Sequence, residues 1–192
     1  MSKTRLEAFS DGVLAIIITI MVLELKVPHG TELRDLLPLA PAFLSYVLSF
    51  IYLGIYWGNH HHLLHTVTQV NSGIIWGNIH LLFWLSLVPF ATEWMGENNF
   101  GKTTVAVYGA LLFMCGLAYY ILQNIITRHY PGNETLKIAL AKQSKKGIIS
   151  QIAYFISVPV AFVYPIISAL LFVAVAVMWF LPDRNIERAL KK

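Results

Sequence analysis

The sequence predicts an all-α integral membrane protein with six transmembrane helices, and three observations support this fold class. Apolar residues make up 57% of the 192 positions, charged residues only 12%, and the mean hydropathy is +0.63. Soluble domains are nearer half apolar and one quarter charged. The apolar runs are long enough for helices that span a bilayer, and they lack the alternation of membrane β-strands. We therefore expect one helical transmembrane domain over residues 1–192.

Six apolar segments can be drawn along the chain. Their expected bounds are Leu6 to Leu25, Pro38 or Pro41 to His65, Ser72 to Trp94, Thr103 to Arg128, and two segments within Gly147 to Leu181. The last stretch is too long for one crossing. We divide it at Tyr164-Pro165, because proline suits the start of a helix better than its interior. A loop is predicted from His129 to Lys146, where Pro131-Gly132-Asn133 marks the end of the fourth helix.

Basic residues indicate the orientation of the chain. With six crossings, eleven of the 14 Lys and Arg residues lie on one side. They are Lys3, Arg5, Arg128, Lys137, Lys142, Lys145, Lys146, Arg184, Arg188, Lys191 and Lys192. The other side has only Lys26, Arg34 and Lys102. By the positive-inside rule, we expect a protein of the cell membrane with both termini on the cytoplasmic side. The cluster from Lys142 to Lys146 and the basic tail from Arg184 are expected to set this topology and to contact anionic lipid. The formal charge of +4 thus points to membrane lipid as a partner, with no nucleic acid.

The first segment is the most informative because it carries Ser10 and Asp11 at membrane depth. An ionisable group there is costly and usually has both a partner and a function. Asp11 also interrupts the apolar run that a cleavable signal peptide requires, so this helix is expected to remain. On a helix, Phe9, Ile16, Ile20 and Leu23 share one face with Thr19 at its border, and Asp11 falls on another face. Periodicity alone favours lipid contact or helix packing for the apolar face.

The string Arg5-x-x-x-Phe9-Ser10-Asp11-Gly12-Val13-x-Ala15-Ile16 resembles the signature of the transmembrane protein 175 family of potassium channels. Further fragments resemble its prokaryotic members across nearly the whole chain. These are Pro28 after the first helix, Tyr56-Trp57 with Asn59-His60-His61, Trp76-x-Asn78, and Leu87-x-Pro89-Phe90. No Thr-Val-Gly-Tyr-Gly carbonyl filter occurs in the sequence.

The resemblance implies a potassium-selective or potassium-preferring cation channel that assembles as a homotetramer, with the first helix of each subunit lining the pore. It implies no cofactor, only permeant potassium and other monovalent cations. The family's constriction isoleucine corresponds to Ile16, and the next pore rings to Ile20 and Leu23. Thr19 matches a threonine that some bacterial members use for selectivity. Such apolar rings can form a hydrophobic gate by dewetting.

The remaining motif residues are assigned to shaping the pore helix. We expect Arg5 to lie at the cytoplasmic boundary. Phe9, Ser10 and Asp11 complete the motif, and the last two should bond to polar groups on the second and third segments. The candidate partners are His60, His61, Asn78 and His80.

Two other function classes stay open at this point. One is a small proton-coupled membrane transporter that uses Asp11. The other is a membrane-embedded metal enzyme built on His60, His61, His62 and His65. A zinc centre needs further ligands, and no His-Glu-x-x-His string is present, so we favour a packed histidine cluster without metal and a protein that is not an enzyme. The single cysteine, Cys115, cannot form an intrachain disulfide.

Overall fold

The computed structural model describes residues 2–129 and 134–180, with the side chains of 134–143 left out. Two sequence features therefore lie outside the described residues: the Pro131-Gly132-Asn133 turn and the basic tail from Arg184. The side chains of Lys137 and Lys142 lie outside them as well. Within the described ranges the regular structure is helical, without a strand.

Over the residues that the structure describes, seven α-helices and one 3₁₀ segment follow each other. The bounds are α1 Lys3–Leu23, the 3₁₀ segment Leu33–Leu39, α2 Ala40–His65, α3 Ser72–Ser86, α4 Val88–Glu97, α5 Lys102–His129, α6 Glu134–Ala161 and α7 Pro165–Phe180. Ser2 caps α1 by accepting from the Arg5 amide, and Asn71 caps α3 by accepting from the Ile74 amide at 2.9 Å. Pro165 begins α7, as the division at Tyr164-Pro165 predicts.

Two elements differ from the sequence-based expectation. The third apolar segment is two helices, because the chain turns at Leu87 and restarts with Pro89 near the beginning of α4. The expected loop from His129 to Lys146 is wrong over most of its length, since α6 already begins at Glu134. The first residues of α6 are mostly strong helix formers such as Ala, Leu, Lys and Glu. The stretch as a whole is too polar to be recognised as a membrane-spanning segment.

Four segments of the described chain are long and apolar enough to cross a membrane. They are Lys3–Leu23, Leu33–His65, Ser72–Glu97, which joins α3 and α4, and Lys102–His129. The shorter apolar helix α7 packs against α6 as an antiparallel pair, and both lie against α5. The chain is a multi-pass membrane protein.

The first helix is anchored at both ends. Lys3 Nζ donates to the His65 carbonyl oxygen at 2.9 Å, which joins the start of α1 to the end of α2. Beyond the other end of α1, Lys26 forms an ion pair with Glu97 at the end of α4. The hydrogen bond that the Lys26 ammonium donates to Glu97 raises the pKa of Lys26, which keeps it charged. Helices α1 and α2 therefore run antiparallel, and α1 and α4 end on the same side.

Both ends of the described chain lie in the same half of the bundle. The Tyr119 hydroxyl of α5 donates to the Asn59 carbonyl of α2 at 3.2 Å, two turns before α2 ends. Gln123 of α5, one turn beyond Tyr119, donates to Ser144 Oγ of α6 at 3.4 Å. The Trp179 indole, at the end of α7, donates to Ser150 Oγ of α6 at 2.8 Å. The end of α7 thus returns to the half of the bundle in which α1 begins.

Candidate pore surface

One face of α1 is uncovered along its whole length. Phe9 is 54% exposed, Ile16 59%, Ile20 40% and Leu23 79%. Arg5, Gly12 and Thr19 are exposed on the same side. Exposed large apolar side chains are ordinary on a lipid-facing helix, so exposure alone does not identify a pore. The continuous stripe does show that this face is free to meet other copies of the chain.

The opposite face of α1 is part of the core. Leu6, Leu14, Ile17 and Met21 are at most 3% exposed and pack with buried residues of the neighbouring helices. Helix α1 lies against α2, α3 and α4. These contacts fix the rotation of α1 about its own axis, which determines which residues form the uncovered stripe.

Thr19 lies beside Ile16 and Ile20 on the uncovered face. Its hydroxyl is within hydrogen-bonding distance of two backbone carbonyls, of Ala15 at 3.0 Å and of Ile16 at 2.9 Å. The hydroxyl has one proton to donate and two lone pairs that accept. Because the proton points back to the helix backbone, the lone pairs of Oγ1 remain available to a cation beside the stripe.

A buried relay of hydrogen bonds joins the motif serine to α3 and α2. His60 Nε2 lies 2.6 Å from Asn78 Oδ1, Asn78 Nδ2 donates to Ser10 Oγ at 2.9 Å, and Ser10 Oγ donates to the Leu6 carbonyl at 2.8 Å. Since Asn78 Oδ1 can only accept, His60 Nε2 must carry the proton. The three side chains are at most 2% exposed. Each of the three donor atoms in the relay, His60 Nε2, Asn78 Nδ2 and Ser10 Oγ, has an acceptor, as a buried polar group requires.

Asp11 lies beside this relay without joining it. Its Oδ1 accepts a hydrogen bond from the Trp57 indole nitrogen at 3.0 Å, and the residue is exposed. Trp57 belongs to α2, so the contact joins the motif carboxylate to the second helix. In the sequence, Trp57 stands out only as part of a fragment that carries the family resemblance, and not as a partner of Asp11. Trp57 lies one helical turn before His61, which was a candidate partner, and this spacing could have identified Trp57 as a partner of Asp11.

The other two candidate histidines lie elsewhere. His61 lies among aromatic rings on its own helix, with its ring centroid 6.4 Å from that of Trp57 and 6.4 Å from that of His65. His80 Nε2 accepts from the Trp84 indole at 3.0 Å, one turn further along the helix. The structure thus brings His60 and Asn78 to Ser10, but not His61 or His80. Among the described residues, no three His, Cys, Asp or Glu side chains are placed to hold a metal ion.

An open groove of about 470 Å³ runs along one edge of the α1 stripe. Ile16 and Ile20 form its α1 wall, and Phe90 of α4, which is 62% exposed, forms part of the other. Glu24 and Glu93 lie at one end. The groove gives the stripe a recessed apolar border with carboxylates at the end where α1 finishes.

Comparison with known proteins identifies the family. A family model described as "Endosomal/lysosomal potassium channel TMEM175" matches residues 5–89. A potassium channel of Chryseobacterium sp. (strain P1-3) is 54% identical over 192 residues, which is 100% of both chains. This chain belongs to the TMEM175 family. A potassium channel of Chamaesiphon minutus is 31% identical over 86% of this chain and 93% of its own.

A solved structure agrees with the fold. The crystal structure of a lysosomal potassium-selective channel TMEM175 homolog from Chamaesiphon minutus matches with a TM-score of 0.79 and 26% identity. The match covers 95% of this chain and 97% of that one. The resemblance drawn from the motif and the all-α membrane fold class are confirmed. TMEM175 proteins are ion channels and not enzymes, so the metal-enzyme alternative has no support.

The Asp11–Trp57 contact leads to a prediction. Replacing Asp11 with alanine removes the acceptor of the Trp57 indole hydrogen bond and so weakens the contact between α1 and α2. We therefore expect a lower yield of assembled oligomer. A hydrogen bond to a charged group contributes about 1.5–3 kcal/mol. Size-exclusion chromatography with light scattering measures the assembled fraction. Glu7→Gln, which alters another carboxylate of α1, should leave it unchanged. Intact oligomers with altered ion selectivity alone would mean that Asp11 faces the ion.

Proposed function

We propose that this protein is a potassium-selective cation channel in which four copies assemble around a pore lined by α1. The uncovered stripe on α1 is the observation that carries the proposal. A single chain offers no enclosed path along this face, whereas several copies around a common axis would enclose one. The potassium channels among its relatives, one of them similar over the whole chain, support the choice of ion.

Rings of large apolar side chains form the constriction. Ile16 is the narrowest ring in this proposal, and Ile20 and Leu23 form wider rings towards the end of α1. A narrow apolar bore expels its water column, so these rings act as a hydrophobic gate when closed. In the open state the ion crosses the Ile16 ring after losing part of its hydration shell.

Selectivity follows from the cost of that partial dehydration. Potassium is larger than sodium and holds its water less tightly, so it enters an apolar ring at a lower cost. The Thr19 lone pairs replace some of the lost water next to the ring. Arg5 and Phe9 lie on the same face near the start of α1 and border the entrance. Ser10, Asp11, His60 and Asn78 fix the rotation of the pore helix and do not touch the ion.

Both termini are cytoplasmic in this proposal, with six crossings in which α3 and α4 count as one. A reporter that is active only in the cytoplasm should therefore work when it is fused after Lys192. A fusion truncated after Gly30, beyond the first crossing, is the control. There the cytoplasmic reporter should be inactive. Activity of a periplasm-only reporter after Lys192 would overturn both the number of crossings and the orientation.

Electrical recording tests the proposed function. Purified protein in a planar bilayer, with potassium on one side and sodium on the other, should give a reversal potential displaced towards the potassium equilibrium potential. Removing the proton gradient should leave the current unchanged. Currents that require a proton gradient and vanish in Asp11→Ala would instead favour the proton-coupled transporter.

A further inference from the structure

A second cavity lies far from the α1 stripe, between α2, α5, α6 and α7. Its volume is about 230 Å³, and its walls are chiefly apolar. Tyr52, Tyr56, Tyr154 and Trp179 contribute much of the lining. Protein interiors seldom contain voids larger than a water molecule. A dry apolar void of about 150 Å³ already binds a small apolar molecule. The cavity is therefore large enough and apolar enough to hold part of a ligand.

The cavity opens to the outside at exposed lining residues of α5 and α6. Tyr120 of α5 is 49% exposed, and Ile148 and Ile152 of α6 are 57% and 55% exposed, and all three belong to the cavity lining. Helix α6 lies against α5 and α7, whereas α1 lies against α2, α3 and α4. The mouth thus faces away from the α1 stripe. In a membrane protein such an outer surface meets lipid, and the apolar lining of the cavity matches an acyl chain in chemistry.

Positive charge borders one end of the same opening. Lys145 is exposed on α6, less than one turn from Gly147 of the cavity wall. Lys146 Nζ lies 6.0 Å from the centroid of the Trp179 ring, which lines the cavity. This end of the cavity lies in the half of the bundle where α1 begins, which is the cytoplasmic half in the proposed orientation. Lysines at a membrane surface attract anionic headgroups.

We infer that the cavity between α2, α5, α6 and α7 binds one anionic phospholipid from this leaflet. One acyl chain enters past Tyr120, Ile148 and Ile152 and packs against the tyrosine rings inside. The phosphate pairs with Lys145 and Lys146. The inference rests on the membrane location of the chain and on this cavity, and it is independent of ion conduction. Loss of lipid binding and loss of potassium selectivity are therefore separate results.

Gly147 allows the cavity to be blocked without disturbing the fold. It lines the cavity, and a Cβ atom built there meets no heavy atom within 4 Å. Gly147→Phe therefore places a ring in the empty space, and it also removes a glycine from the interior of α6, which favours the helix. Ile149→Phe is the matched control, because Ile149 is 55% exposed on the same helix and lies outside the cavity lining.

The test uses the full chain reconstituted in vesicles that contain a phosphatidylglycerol with a photoreactive diazirine in one acyl chain. After irradiation, mass spectrometry of the digested protein locates the labelled residues. We expect labelling at Tyr56 and Tyr154 inside the cavity, at least tenfold lower in Gly147→Phe and unchanged in Ile149→Phe. Lys145→Gln should lower the labelling several-fold, whereas Lys102→Gln, at the other end of α5, should not.

Two results would overturn the inference. Labelling confined to exposed residues around the bundle, and unaltered in Gly147→Phe, would show that no acyl chain occupies the cavity. Equal labelling of Tyr56 and Tyr154 by a diazirine phosphatidylcholine would show that the site does not select an anionic headgroup. Thermal melting of Gly147→Phe, expected to match or exceed the wild type, confirms that lost labelling does not arise from unfolding.

Discussion

Replacing Ile16 with asparagine should raise the conductance of the channel and remove most of its preference for potassium over sodium. Ile16 is 59% exposed at the centre of the α1 stripe. In the proposed tetramer, its four copies would set the barrier that a partly dehydrated ion must cross. Asparagine amides let water into the ring, so both ions keep more of their hydration. Lowering the barrier by only about 1.4 kcal/mol raises the rate of crossing roughly tenfold. The reversal potential under bi-ionic potassium and sodium conditions measures the selectivity.

Three matched substitutions separate this effect from general damage to α1. Ile17 is 3% exposed, so Ile17→Asn buries an amide in the core and should mainly lower expression. Val22 is 46% exposed but lies on another side of the helix, so Val22→Asn should leave selectivity unchanged. Thr19→Ala should lower selectivity less than Ile16→Asn, since only a supplementary hydroxyl is lost. If the assembled Ile16→Asn variant shows an unchanged current and reversal potential, the Ile16 ring is not the constriction.

Replacing Asn78 with leucine should destabilise the protein more than any other polar substitution near the motif. Leucine has a similar size but cannot accept from His60 or donate to Ser10, so the relay loses both of its links at once. A buried donor left without a partner costs about 1–3 kcal/mol. For a chain of this length each kcal/mol lowers the melting temperature by roughly 2–4 °C. Thermal melting of the purified protein, followed by size-exclusion chromatography, measures the change.

His80→Leu is the control for Asn78→Leu. His80 lies on the same helix, and the hydrogen bond it accepts is local, from the Trp84 indole one turn away. Its replacement should therefore change the melting temperature little. An equal loss of stability in both variants would mean that the relay from His60 to Ser10 is not what fixes α1 against its neighbours.

The first helix could be predicted in detail because two independent signals agree there. The apolar periodicity groups Ile16, Ile20 and Leu23, and the motif marks Ser10 and Asp11. The structure places Ile16, Ile20 and Leu23 on the uncovered face and Ser10 in the core. The identity of the partners could not be predicted, because it depends on how α2 and α3 rotate against α1. The candidate histidines His60, His61 and His80 could not be distinguished in the sequence, and packing brings only His60 to Asn78.

The start of α6 could not be predicted from hydropathy, which was the signal used for the membrane segments. Residues 134–146 are too polar to indicate a crossing, yet most are good helix formers, and they extend the helix beyond the apolar part. The break between α3 and α4 was missed for the opposite reason. The residues around this break are apolar, so the hydropathy is continuous across Leu87. The break arises because Pro89 lacks the backbone amide that would continue the helical hydrogen bonds.

Cysteine modification of Leu23 tests most directly whether the α1 stripe lines the ion path. The chain has a single native cysteine, Cys115, which is buried, so background labelling is low. Leu23 is 79% exposed at the end of the stripe, and Val22 lies about 100° away around the helix. A positively charged methanethiosulfonate reagent should block the potassium current of Leu23→Cys and leave that of Val22→Cys unaltered. Complete modification of Leu23→Cys without loss of current, or block of Val22→Cys alone, would contradict a pore lined by this face of α1.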